Sequence, residues 1–182
     1  MNLELMAMHF LRFEKACPVA LLERSPRFGI GEPDVLGITK ARYLLEIEIK
    51  RSLSDFRANG KKHHIAMREG RAVGTRWRTP IAISKFPKQF WFLVPCELVK
   101  KVEREVPDYA GLMRGPGQNE VQQVRVVKPA PSNHESERLT AREMMSLGHC
   151  MANQILSQMD QIHALKNRFE EGQYLWNWYP DI

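Results

Sequence analysis

The chain has little cysteine. Cys17, Cys96 and Cys150 are far apart and odd in number. That excludes a disulfide framework and a cysteine-based zinc site, and it points to a reducing cytoplasm. Long hydrophobic runs are also lacking: the densest, residues 90–94, is the size of a strand and far short of a membrane span. The opening residues Met1–Glu4 lack the basic and apolar regions of a secretory signal, so a cytoplasmic location with no membrane partner is expected. No glycine-rich Walker loop is present, so ATP use is not indicated. There is no internal repeat and no low-complexity tract.

What is present is a globular composition. The 182 residues are 43% hydrophobic and 26% charged, most simply a single domain over 1–182 with its own core. Net charge is +6, and it is unevenly placed. Residues 50–88 hold eleven Lys or Arg against two acids, Asp55 and Glu69, a net of +9, which leaves the rest of the chain at −3. A concentrated cationic stretch is the electrostatic footprint of a polyanion partner; the plainer alternative is a solvated surface loop.

Immediately before that stretch the pattern is that of two strands. Residues 43–50 alternate, with Leu45, Ile47 and Ile49 on one face and Glu46, Glu48 and Lys50 on the other. One face can pack on a core while the other presents two carboxylates and an ammonium. Asp34–Ile38 reads as a short preceding strand and residues 39–42 as the turn. If Ile38 pairs with Leu44, Asp34 falls opposite Glu48. Two carboxylates at one point are costly unless a cation sits between them. Mg²⁺ suits such a site, being a hard ion that binds few carboxylates and keeps its waters. Lys50, on the same face, can orient a water or stabilise charge growing on a phosphate.

Pro33-Asp34 followed by Glu48-Ile49-Lys50 resembles the PD-(D/E)XK nuclease superfamily. Residues 52–57 and 107–112 are most similar to its DNA-repair endonuclease (MmcB-like) and phage-type members. The resemblance covers roughly residues 3–113. It implies an α/β fold with a restriction-endonuclease-like core, a mixed central sheet flanked by helices. It implies metal-dependent hydrolysis of DNA phosphodiesters, most simply as an endonuclease, with Mg²⁺ or Mn²⁺ as cofactor. Asp34, Glu48 and the main-chain carbonyl of Ile49 would hold the metal, and Lys50 would act on water or phosphate. Many members add an acid from the first helix or strand; Glu23 is the first choice here and Glu14 the second. Glu46 shares the face of Glu48 and would support it. The alternative is a nuclease-like fold that binds nucleic acid or a partner protein without cutting.

The remaining elements can be placed in order. Residues 3–16 read as an amphipathic helix stopped by Pro18, and residues 19–23 as a strand. Ser52 or Ser54 would cap the next helix. The basic insertion spans residues 65–88. Lys61, Lys62, His63, Arg68, Arg71, Arg76 and Arg78 are the candidate nucleic-acid contacts, although the His63-His64 pair also fits a solvated helix face. Trp77 can stack on a base or anchor its loop. Residues 88–95 read as a central strand, 97–105 as a helix, 106–113 as a turn and edge strand, and 121–127 as a late strand. A capping box at Thr140–Glu143 opens a long helix, residues 138–171, with an apolar stripe through Met144, Leu147, Met151, Ile155, Met159, Ile162 and Phe169. That helix leaves two options, a monomer or a homodimer formed through it.

Overall fold

A computed structural model of the chain describes residues 2–22, 33–58 and 86–178. The chain divides into two compact units, residues 1–139 and 140–182.

The first unit is built on a six-stranded mixed sheet flanked by helices. The strands lie side by side in chain order: β1 (Val19–Leu22), β2 (Val35–Ile38), β3 (Leu44–Ile49), β4 (Gln89–Val94), β5 (Gly111–Arg114) and β6 (Arg125–Lys128). Pairs β3–β4 and β4–β5 are parallel, and the other three pairs are antiparallel. A parallel neighbour requires a crossover that carries the chain back across the sheet. The crossover to β4 contains α2 (Leu53–Ala58). The crossover to β5 contains a 3-10 turn (Cys96–Leu98) running into α3 (Val99–Val102).

Both sheet faces are covered, as the continuous apolar run of β4 requires. On one face Ile47, Trp91, Leu93 and Met113 pack with Met6, Ala7, Phe10 and Leu11 of the N-terminal helix. On the other, Phe90, Phe92 and Leu112 pack with Phe56 of α2 and with Leu98 and Val102. Gly37 lets the N-terminal helix approach β2: a Cβ there would sit 3.0 Å from Leu11 Cδ2 and 3.1 Å from Cys17 Sγ.

Several elements differ from the sequence pattern. The first helix is α over Leu3–His9 (α1) and then widens to a π-helix over Phe10–Glu14. Lys15 N–H closes that wide turn on the Phe10 carbonyl at 3.0 Å, and Ala16 leaves it with φ 50°. The helix expected over 97–105 is a 3-10 turn over Cys96–Leu98 followed by α3, which stops at Val102. β5, expected at an edge, lies inside the sheet because Arg125–Lys128 pairs along its outer side. That late strand begins at Arg125, since Val121 is consumed in a turn closed by Gln123 N–H on its carbonyl at 2.7 Å. Lys88, expected in the basic insertion, is tied to the sheet. Lys88 N–H donates to the Leu44 carbonyl at 2.7 Å, and its Nζ donates to the Asn133 carbonyl at 3.0 Å.

The second unit consists largely of α4 (Ala141–Trp178), 38 residues long. Its start is the expected capping box. Glu143 N–H donates to Thr140 Oγ1 at 3.2 Å, and Thr140 N–H donates to Glu143 Oε2 at 2.6 Å. Among the described residues no helix is long and apolar enough to cross a membrane.

Candidate functional site

The register of β2 on β3 places the motif residues. Ile38 lies opposite Leu44 and Val35 opposite Ile47, so Asp34, just before β2, falls level with Glu48. The side chain of Asp34 reaches across: Oδ2 accepts the Ile49 main-chain N–H at 2.7 Å. On the opposite edge, Lys50 N–H donates to the Leu93 carbonyl at 2.9 Å and extends the β3–β4 pairing past the end of β3. Asp34, Glu48, Ile49 and Lys50 are thereby gathered at the end of β3.

The charged face of β3 does not look out to water as its alternation suggested. Glu46 and Glu48 are fully buried, and Lys50 is 2% exposed. The cause is the second hydrophobic layer. Glu48 is level with Phe92 on β4, and Phe92 packs edge-on against Phe56 of α2 with ring centroids 5.0 Å apart. Lys50 Nζ donates to Glu48 Oε1 at 2.9 Å, a charge-assisted contact within this layer.

A further acid joins them that the motif did not name. Asp55 Oδ1 lies 3.7 Å from Lys50 Nζ, and Asp55 Oδ2 accepts the Arg51 N–H at 3.1 Å. Asp55 N–H in turn donates to Ser52 Oγ at 3.1 Å. This is the reciprocal helix cap of a Ser-x-x-Asp sequence, displaced by one residue at its N-terminal side. Ser52-Leu53-Ser54-Asp55 carried that signal. It settles Ser52 over Ser54 as the cap and places a carboxylate back over residues 50 and 51.

The first cations of the basic stretch are tied to acids elsewhere. Arg51 pairs with Glu4 at 2.5 Å. Arg57 pairs with Glu105 at 2.6 Å, and that guanidinium holds the Glu105 carboxyl below its ordinary pKa. Glu14 is exposed on the π-helix. Glu23, Lys61, Lys62, His63, Arg68, Arg71, Arg76 and Arg78 lie outside the described residues.

A second polar cluster fixes the β5–β6 turn. Arg114 Nη1 and Nη2 grip Glu120 Oε2 and Oε1 at 2.7 and 3.1 Å, and Gly117 N–H donates to Oε2 at 3.0 Å. The guanidinium first, then the main-chain donor, pull the Glu120 carboxyl down to about 2.

Asp34 and Glu48 offer hard oxygen donors of the kind Mg²⁺ takes. Among the described residues no three or more His, Cys, Asp or Glu side chains are gathered as a metal-binding group. An ion here would complete its shell with main-chain and water oxygens, as Mg²⁺ commonly does. In that chemical sense the residues fit the ion.

No family model matches the chain, and no curated protein matches it. The chain is similar in fold to a solved protein of unknown function from Silicibacter pomeroyi, with a TM-score of 0.51 and 18% identity. The match covers 87% of this chain and 88% of that one. The class thus defined is a mixed α/β protein with a six-stranded sheet flanked by helices.

Proposed function

We propose that this protein is a metal-dependent nuclease that hydrolyses DNA phosphodiester bonds on a restriction-endonuclease-like core. The observation that carries the reading is the convergence of Asp34, Glu48 and Lys50 at the end of β3. Asp34 and Glu48 would hold Mg²⁺ or Mn²⁺, with the Ile49 carbonyl as a further ligand. When bound, such an ion polarises a phosphate and lowers the pKa of a coordinated water. The Ile49 N–H holds Asp34 in place for that task. Lys50 carries the positive charge that would stabilise a developing phosphorane, and Asp55, its Oδ1 3.7 Å from the ammonium, would help to position it. Lys61, Lys62, His63 and the arginines at 68, 71, 76 and 78 would grip the DNA backbone. A cytoplasmic location and a role in DNA repair belong to the same reading.

One observation favours a second reading. Lys50 and Glu48 are buried and already paired, which is also how a nuclease fold that binds without cutting would retain them as structure. The deciding experiment incubates the full chain with linear, nicked, branched and single-stranded DNA, in Mg²⁺, in Mn²⁺ and in EDTA. Cleavage that depends on the ion and disappears in Asp34→Asn supports the enzyme. Binding with no cleavage of any substrate selects the second reading.

A further inference from the structure

We propose that α4 pairs with the α4 of a second copy of this chain, as a parallel two-stranded coiled coil over residues 155–169. Ile155, Met159, Ile162, Leu165 and Phe169 share one stripe of the helix, and each is at least half exposed. Scattered exposed apolar residues need no explanation, but a continuous apolar stripe of this length marks an interaction surface.

The spacing identifies the partner. Ile155, Ile162 and Phe169 recur every seven residues, and Gln158 and Leu165 fall three residues after the first two. Upstream, Met144 and Met151 continue the second series, while the first falls on Ala141 and Gly148, so the paired repeat is confined to 155–169. A seven-residue repeat is the signature of helices that supercoil around each other. Ile155 and Ile162 in the first series, with Leu165 in the second, are the combination that favours two parallel strands, and Gln158 is the one polar residue of the seam over 155–169. Of the flanking positions Met159, Gln161, Lys166 and Arg168, register in a parallel self-pair sets position 161 opposite 166 and position 168 opposite Gln173, so no like charges are placed opposite each other. The size is also adequate. Five large side chains, each contributing roughly 100 Å², would bury about 1,000 Å² in total, the threshold for a specific interface. A membrane surface is the poorer occupant: residues 155–169 hold Lys166 and Arg168 against Asp160, too few cations for an interfacial helix.

The test is sedimentation equilibrium of the full chain, independent of any nuclease assay. Wild type should sediment at twice the chain mass in the tens of micromolar. Ile155→Glu/Ile162→Glu should halve that mass. Leu156→Glu, equally exposed but off the stripe, should leave it doubled. Orientation is read from Gln158→Cys and Leu165→Cys, each compared with wild type for its native cysteines. In a parallel pair both crosslink to their own counterpart under mild oxidation; in an antiparallel pair at most one can. A monomeric wild type, a species of three or more chains, a doubled mass that survives Ile155→Glu/Ile162→Glu, a monomeric Leu156→Glu, or failure of either cysteine to crosslink would overturn the proposal.

Discussion

Asp34 is bound to Ile49 across the β2–β3 hairpin, its carboxylate accepting the main-chain N–H at 2.7 Å. The side chain therefore has a structural partner in addition to its proposed metal. Asp34→Asn can keep that hydrogen bond through its amide oxygen while losing the charge. It should leave the thermal midpoint within a few degrees of wild type and reduce ion-dependent cleavage by about 100-fold or more, since removing even a group that merely supports a metal ligand costs about 10–100-fold. Asp34→Ala should lose both. Thermal melts run beside a plasmid-nicking assay make the separation, and wild-type cleavage by Asp34→Asn would end the metal assignment.

The buried pair predicts a strong coupling. Lys50→Met leaves the buried Glu48 without this counter-charge, and should cost about 3–5 kcal/mol. Adding Glu48→Gln should restore part of the loss, giving an interaction energy of about 1–3 kcal/mol in a double-mutant cycle from urea melts. Additive losses would mean that the two groups do not sense each other.

Glu120 sets an acid limb in stability. Its carboxyl, held down to about 2 by Arg114 and Gly117, lies below its ordinary value of about 4.3 in an unfolded chain. A depressed folded pKa gives stabilisation that is complete above the unfolded value and is lost as pH falls through the folded one. Wild type should therefore exceed Glu120→Gln in melting temperature at pH 6. The gap should close between about pH 4.3 and 2. A gap independent of pH would assign the effect to packing.

The basic stretch should divide into two groups. Arg51 and Arg57 are committed to Glu4 and Glu105. Replacing Arg57 with Ala should leave the salt dependence of duplex binding unchanged. Replacing two of Arg68, Arg71, Arg76 and Arg78 should flatten the slope of log K against log salt by about two, if both touch phosphate. Titrations in Ca²⁺, chosen to permit binding without rapid cleavage, provide the measurement. An unchanged slope in the double variant would make these arginines surface residues without a ligand.

The strand at Leu44–Ile49 was legible because alternation and the Asp34 spacing fix a register that pairing then obeys: Ile38 does lie opposite Leu44. The burial of Glu46, Glu48 and Lys50 was not legible from the same eight residues. It depends on Phe92, more than forty positions later, and on a six-residue helix too short to announce itself by periodicity. Asp55 was within reach through its Ser-x-x-Asp cap. The interior position of β5 was not, because Gly111–Arg114 reads alike with or without a strand beyond it, and β6 is short and largely exposed.

A sheet whose strands lie in chain order can assemble in the direction of synthesis. Asp34, Glu48 and Lys50 leave the ribosome with the β2–β3 hairpin, while β4 follows 39 residues later, about 2–8 s at ordinary elongation rates. Until Phe92 arrives, the ammonium and the carboxylate stay in water, where each is well solvated and their attraction is slight. Dehydrating that pair is thus a late event, coupled to the docking of β4. A chain arrested between the two would carry the full motif in sequence with its charges still hydrated.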